Sequence, residues 1–132
     1  MYNFFDKVDI DKMADKIKSL NLPDNKMLNL NEDCFLFERN IFPYLLKCKD
    51  DPKAIFLNAY DYATIRKKYI HLISIETMAV NLAKGIFGSI DNTDLIINRS
   101  CPVGYVFIVD KNDKITTMFT SLPNYSIGIV KE

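Results

Sequence analysis

The chain has 132 residues, 48% hydrophobic and 26% charged, values that fit one globular domain with a single substantial core. Lysine plus arginine and aspartate plus glutamate both number 17, so the net charge is zero and there is no global electrostatic footprint for nucleic acid or an anionic membrane. Three widely spaced cysteines (Cys34, Cys48 and Cys101), an acidic N-terminus unlike a signal peptide, and apolar runs too short for a membrane span together predict a cytoplasmic protein with buried thiols.

Residues 9–20 have the spacing of an amphipathic helix. Ile10, Met13, Ala14, Ile17 and Leu20 share one stripe, Asp9 is the N-cap, and Asn21 to Asn25 stop the helix. Phe4 and Phe5 are expected beneath it. Between residues 26 and 50 the pattern is mixed. Met27, Leu28 and Leu30 suit an extended segment, and Cys34–Phe37 suits either a strand or a helix start. Asn40 to Lys49 reads as a helix capped by Asn40, with Pro43 tolerated in the first turn. Ile41, Leu45 and Cys48 are its core-facing residues, helped by Phe42, Tyr44 and Leu46.

Ala54–Leu57 is a short apolar run that opens a helix or forms a buried strand. From Asp61 the spacing is helical, with Tyr62, Ile65, Tyr69 and Leu72 on one stripe and Arg66, Lys67 and Lys68 off it. A further helix is predicted from Ser74 to Lys84, with Ser74 as N-cap, Glu76 in the first turn and Lys84-Gly85 as the stop. Its buried face is expected to be Ile75, Met78, Ala79 and Leu82.

After Gly88 the composition turns to β. Leu95–Ile97 is a short strand and Asn98–Pro102 a loop. The strongest pattern in the chain follows: Val103, Tyr105, Phe107 and Val109 on one face and Val106 and Ile108 on the other, a strand buried on both sides. Asp110 to Asp113 supplies the turn of a hairpin, and Ile115–Thr120 returns, with Ile115, Thr117 and Phe119 expected on one face. Leu122–Asn124 turns the chain into a last strand, Ser126–Val130. These elements predict an α+β domain, N-terminal helices packed on a C-terminal, mainly antiparallel sheet of about four strands. Residues 1–132 count as one domain, with residues 1–50 a candidate helical subdomain and residues 51–132 supplying helices followed by the sheet.

No phosphate-binding glycine loop, dinucleotide fingerprint, paired-cysteine metal site or Gly-x-Ser-x-Gly elbow is present, so no cofactor and no metal are expected. His71 is the only side chain with an unperturbed pKa near neutrality. It follows Arg66, Lys67 and Lys68 by about one helical turn, which suits an acid–base group beside a phosphate-binding cluster, and equally a histidine on a solvated basic face. Arg99 suits a two-pronged phosphate contact, although a lone loop arginine is more often simply solvated. Thr116, Thr117 and Thr120 offer strand hydroxyls, and are equally plain strand formers.

An apolar strand ending in Asp110, a short polar turn, and then Lys114-Ile115-Thr116-Thr117-Met118-Phe119 resembles the penultimate hairpin of the barnase–EndoU–colicin–RelE-like ribonuclease superfamily. The order of elements over residues 61–132 matches as well. The resemblance implies helices ahead of a four-stranded antiparallel sheet, and a toxin that cleaves RNA without metal and is held by a cognate inhibitor protein. It further implies His71 as the acid–base group and Thr117 as the strand hydroxyl. Arg66, Lys68, Lys84 and Arg99 would bind substrate phosphates. Zero net charge departs from the family, whose ribonucleases tend to be basic.

The competing class is a non-catalytic protein inhibitor: an immunity protein, an antitoxin-like factor or a phage counter-defence protein that binds a protein target. Such proteins act by surface complementarity through aromatic anchors, for which Tyr44, Tyr60, Tyr62, Tyr69 and Tyr125 are candidates, although tyrosines half-buried in a core are the commoner case. A third option is a structural module pairing through the edge strand Ser126–Val130.

Overall fold

The computed structural model describes residues 9–22, 41–47, 53–90, 93–110, 112–120 and 127–128. In chain order they form α1 (Ile10–Ser19), α2 (Phe42–Lys47), β1 (Lys53–Leu57), α3 (Ala59–Tyr69), β2 (Ile73–Ile75), α4 (Ala79–Ala83), β3 (Ile86–Ile90), β4 (Thr93–Ile97), β5 (Tyr105–Asp110), β6 (Ile115–Thr120) and β7 (Ile127–Gly128). The expectations for Phe4, Phe5, residues 26–40, Cys48, Leu122–Asn124 and Tyr125 lie outside the described residues.

The α+β class holds, but the sheet is larger than the sequence suggests. Seven strands run in the order β2-β3-β4-β1-β5-β6-β7. Every pairing is antiparallel except β1 with β4, which is parallel. The run left open between helix and strand, Ala54–Leu57, is the centre of this sheet. A four-residue apolar run carries no period, so its state is decided by its neighbours: β4 on one side and β5 on the other.

Helices cover both faces. Along β1, Ala54 and Phe56 point into one apolar cluster, with Met13 and Ile17 of α1, Phe107, Val109 and Ile115. Ile55 and Leu57 point into the other, with Leu45 of α2, Tyr62, Ile65 and Tyr69 of α3, Val106, Ile108 and Phe119. Residues 1–50 therefore contribute, in their described part, two helices on opposite faces of one sheet. On β5, Tyr105 to Val109 are all buried, alternating between the two clusters as their sequence predicts.

The first helix forms as its sequence dictates. Asp9 caps it, Oδ1 accepting from the Lys12 N–H at 3.0 Å. The hairpin turn fastens to the same end: the Asp9 N–H donates to Asp113 Oδ1 at 3.1 Å, and Lys16 Nζ donates to the Asp113 carbonyl at 2.8 Å. Asp113 holds φ at 59°, the left-handed conformation expected of this turn.

The return strand departs from simple alternation. Val109 pairs with Ile115 but Ile108 pairs with Thr117, so one residue is bulged between them. Ile115 then faces the α1 side, while Phe119 lies in the α2–α3 cluster. The expected shared face of Ile115, Thr117 and Phe119 is split by this extra residue. Thr116 becomes a bridge: its hydroxyl donates to the Ile108 carbonyl at 3.1 Å and accepts from the Tyr44 hydroxyl at 3.2 Å.

The largest departure is in residues 73–90. The predicted helix from Ser74 to Lys84 is instead strand β2, the five-residue helix α4 and a turn into β3. Ser74 lies on a strand and caps nothing. Glu76 ties the approach to α4, Oε1 accepting from the Thr77 and Met78 N–H groups at 3.0 Å and Oε2 from the Asn81 side chain at 3.1 Å. These bonds, the Met78 N–H foremost, hold the Glu76 carboxyl below the ordinary glutamate range. The stop at Gly85 falls where expected, at φ +94°.

Gly88 is needed for a different reason. A Cβ there would stand 2.6 Å from the Ser74 carbonyl oxygen and 3.3 Å from Ile73 Cγ2. Gly88→Ala is expected to push β2 outward and to cost about 1–3 kcal/mol, as overpacking does. Unchanged urea midpoints for the two proteins would contradict this.

Candidate functional site

The six residues singled out from sequence occupy different places. Arg66 and Lys68 are exposed on α3, and His71 is exposed in the turn that follows it. Thr117 is 3% exposed, opposite Ile108 on the helix-covered face of β6. Five strand steps separate β2 from β6. At about 4.8 Å per step, His71, just ahead of β2, stands roughly 24 Å from the strand of Thr117. These two do not share a substrate-sized space, and the Thr117 hydroxyl is inside the core. A strand threonine read without tertiary context gives no sign of this burial.

Lys84 and Arg99 do converge. They line one cleft of about 630 Å³ with Asp9, Asp11, Gly85 and Asn98, between the start of α1 and the loop after β4. Two carboxylates face two cations there, so the cleft has no net positive field to concentrate phosphate. Among the described residues, no three His, Cys, Asp or Glu side chains gather as metal ligands, and no helix is long and apolar enough to cross a membrane.

Buried polarity at the start of α3 has a structural role. Asp61, fully buried in the first turn of α3, accepts the Gly104 N–H at 2.6 Å. The helix N-terminus is a favourable place for its charge. Asn58 caps the same helix, accepting from the Tyr60 N–H at 3.0 Å and donating to the Cys101 carbonyl at 3.0 Å. Together they pin the 98–104 loop to α3.

Burial, helped by the nearby Asp61 charge, pushes the Cys101 thiol up to about 12. A thiol this buried is a core residue and not a nucleophile. The unfolded chain loses this proton near pH 8.5, and the folded chain only near 12. Between those values the folded state binds more protons. The contribution is therefore complete below pH 8.5 and falls with rising pH, by up to about 1.4 kcal/mol per unit. Urea titrations at pH 8, 9 and 10 should show the wild type losing stability more steeply than Cys101→Ala; parallel slopes would refute the assignment.

The feature that stands out is apolar. Ile70, Leu72, Ile75, Met78, Val80, Leu82 and Phe87 are each 37–59% exposed. They run from the end of α3 through β2 and α4 to β3. At about 200 Å² for a fully exposed large side chain, they present roughly 650 Å² of apolar surface. That sum compares with about 300–600 Å² for the largest apolar patch of a typical monomer. Ile75, Met78, Ala79 and Leu82, predicted as a buried helix face, belong to this surface. Two local causes hold it outward. Ile75 pairs with Gly88, which has no side chain to cover it, and a bulge between Ile86 and Gly88 turns Phe87 onto the α3 side, edge-on to Tyr62 at 5.8 Å.

A groove of about 600 Å³ opens beside this surface, lined by Ala59, Tyr62, Ala63, Arg66, Lys67, Ile70, Phe87 and Ile97. Burial raises the Tyr62 phenol pKa, and the Arg66 charge partly offsets it. Of the aromatic anchors proposed from sequence, Tyr62 and Tyr69 are buried core residues, Tyr44 is half-buried and bonded to Thr116, and Tyr60 is exposed. Sequence reasoning placed Ile75, Met78, Ala79 and Leu82 on a buried helix face. The overlooked signal is charge: from Tyr69 to Ala83 the only acidic or basic residue besides His71 is Glu76.

No protein-family model matches the chain, and no curated protein or solved structure is found to be similar to it.

Proposed function

We propose that the chain is a non-catalytic protein-binding domain whose exposed apolar face is covered by a protein partner. The observation that carries this reading is the apolar face from Ile70 to Phe87, whose exposure to water is unfavourable by roughly 25 cal/mol per Å². The ribonuclease alternative asks His71 and Thr117 to act on one scissile phosphate, and the strand spacing keeps them apart. Lys84 and Arg99 share a cleft with two carboxylates, an arrangement that weakens their hold on phosphate.

The test has two arms. RNA incubated with the protein in chelator should remain intact, and expression should not arrest growth, with His71→Ala indistinguishable from wild type. A photo-crosslinking amino acid in place of Met78 should attach to protein in cells, and one in place of Asp15, on the solvent side of α1, should not. RNA cleavage abolished by His71→Ala, or equal labelling from the two positions, would overturn the proposal.

A further inference from the structure

The occupant of this face follows from the edge of the sheet. We infer that it is a second copy of the chain, joined through β2 by a twofold axis at Ser74, so that two seven-stranded sheets become one. The inference rests on reading residues 70–87 as a protein-contact face, and it names the partner.

Strand β2 ends the sheet, and among the described residues no strand pairs with its outer side. The hydrogen-bond phase of that side can be worked out. The Glu76 N–H donates to the Phe87 carbonyl at 3.0 Å, across the pair Glu76–Phe87. Antiparallel ladders repeat every second residue, so the bonded pair before it is Ser74 with Ser89, which face each other in the register. Ser74 and Glu76 therefore bond inward to β3. Ile73 and Ile75 turn their N–H and C=O groups to the outer edge.

A second β2, antiparallel and centred on Ser74, places Ile73 opposite the Ile75 of the other copy, and Ile75 opposite its Ile73. Each of these pairs exchanges two backbone hydrogen bonds, with every outward group on the edge satisfied. Side chains two apart share a sheet face, so the exposed Ile75 of each copy comes to rest beside the buried Ile73 of the other. The edge is thus complementary to itself, as a twofold interface requires.

Area and charge agree with this geometry. The exposed apolar residues of each copy can bury at most roughly 650 Å², beside the 800 Å² or so that each partner buries in a standard stable interface. The face holds one carboxylate, Glu76, already satisfied by the Thr77, Met78 and Asn81 groups, so it demands no cation from its partner. The chain's zero net charge adds no long-range repulsion between copies.

The experiment is sedimentation and light scattering between about 1 and 200 µM, read beside disulfide trapping. The wild type is expected at twice its 15.3 kDa mass. Ser74→Cys places the two thiols directly opposite at a pair without mutual hydrogen bonds, where α-carbons lie about 4.5 Å apart, within disulfide reach. It should give a covalent dimer within minutes of mild oxidation, which the wild type with its own cysteines does not. Ile75→Glu, at an exposed position, should keep the wild-type circular dichroism spectrum and weaken dimerisation at least a hundredfold.

A monomer throughout the range, or a dimer untouched by Ile75→Glu and untrapped by Ser74→Cys, overturns the pairing. If the chain is monomeric and the crosslinker at Met78 captures a different protein, the twofold pairing is wrong and the protein-binding reading stands. If it is monomeric and Met78 captures nothing, both fail.

Discussion

Phe107→Ala is expected to lower stability by about 3–5 kcal/mol, a large fraction of the 5–15 kcal/mol that holds a domain together. Phe107 is fully buried on β5, pairs with Phe56 across the sheet centre, and packs in the cluster that receives Met13 and Ile17 of α1. Tyr105 stacks near it, ring centroids 6.3 Å apart. Neighbouring strands on both sides are fixed by their ladders, so the space left by the ring cannot collapse. For a chain of this length the loss corresponds to a Tm lower by roughly 10–18 °C. Calorimetry showing a fall of only a few degrees would mean that this face of the sheet is loosely packed.

Asp61→Ala is expected to cost about 2–4 kcal/mol through an unmet donor. The Gly104 N–H, buried against α3, loses the carboxylate it donates to at 2.6 Å. Gly104 sits at φ +91°, so the loop is held in a conformation that this bond helps to select. Asp61→Asn keeps an acceptor at the same place and should recover more than half of the loss. Equal losses for Ala and Asn would show that the charge, and not the hydrogen bond, is what the loop requires. Hydrogen exchange gives an independent reading, since the Gly104 amide should exchange much faster in Asp61→Ala while amides of β5 follow global stability.

Some of this architecture is plain in the residues themselves. Helix α1 carries its cap, its stripe and its stop locally, and the 105–120 hairpin carries a two-sided apolar strand and a turn rich in Asp and Asn. Such elements are decided within ten or so residues. Ala54–Leu57 is not: its parallel pairing with β4 bridges positions 54 and 94, a relation no local pattern encodes. The misreading of residues 74–84 has another cause. Apolar spacing of about 3.6 predicts a buried helix only if apolar residues seek their own core, and here they face outward. The proposed catalytic set failed to gather for a related reason. Thr117 looks like an available hydroxyl until the bulge at Thr116 sets it, buried, opposite Ile108, and Lys84 and Arg99 line one cleft through a turn whose course depends on Gly85.

The central place of β1 has a consequence for how the chain is made. Ala54 meets Asp94 on one side and Val109 on the other, so both neighbours of the central strand are synthesised long after it. At 5–20 residues per second, β1 waits roughly 2–10 s beside the ribosome before its partners exist. Throughout that interval Ala54-Ile55-Phe56-Leu57 is an apolar segment without the partners that make it a strand, the kind of exposed surface that holding chaperones grip. The final closure joins strands far apart in the chain and belongs to the slow, millisecond-to-second class of folding events. Production of this protein should therefore respond to chaperone supply and to translation speed between codons 57 and 110 more than to any single surface substitution.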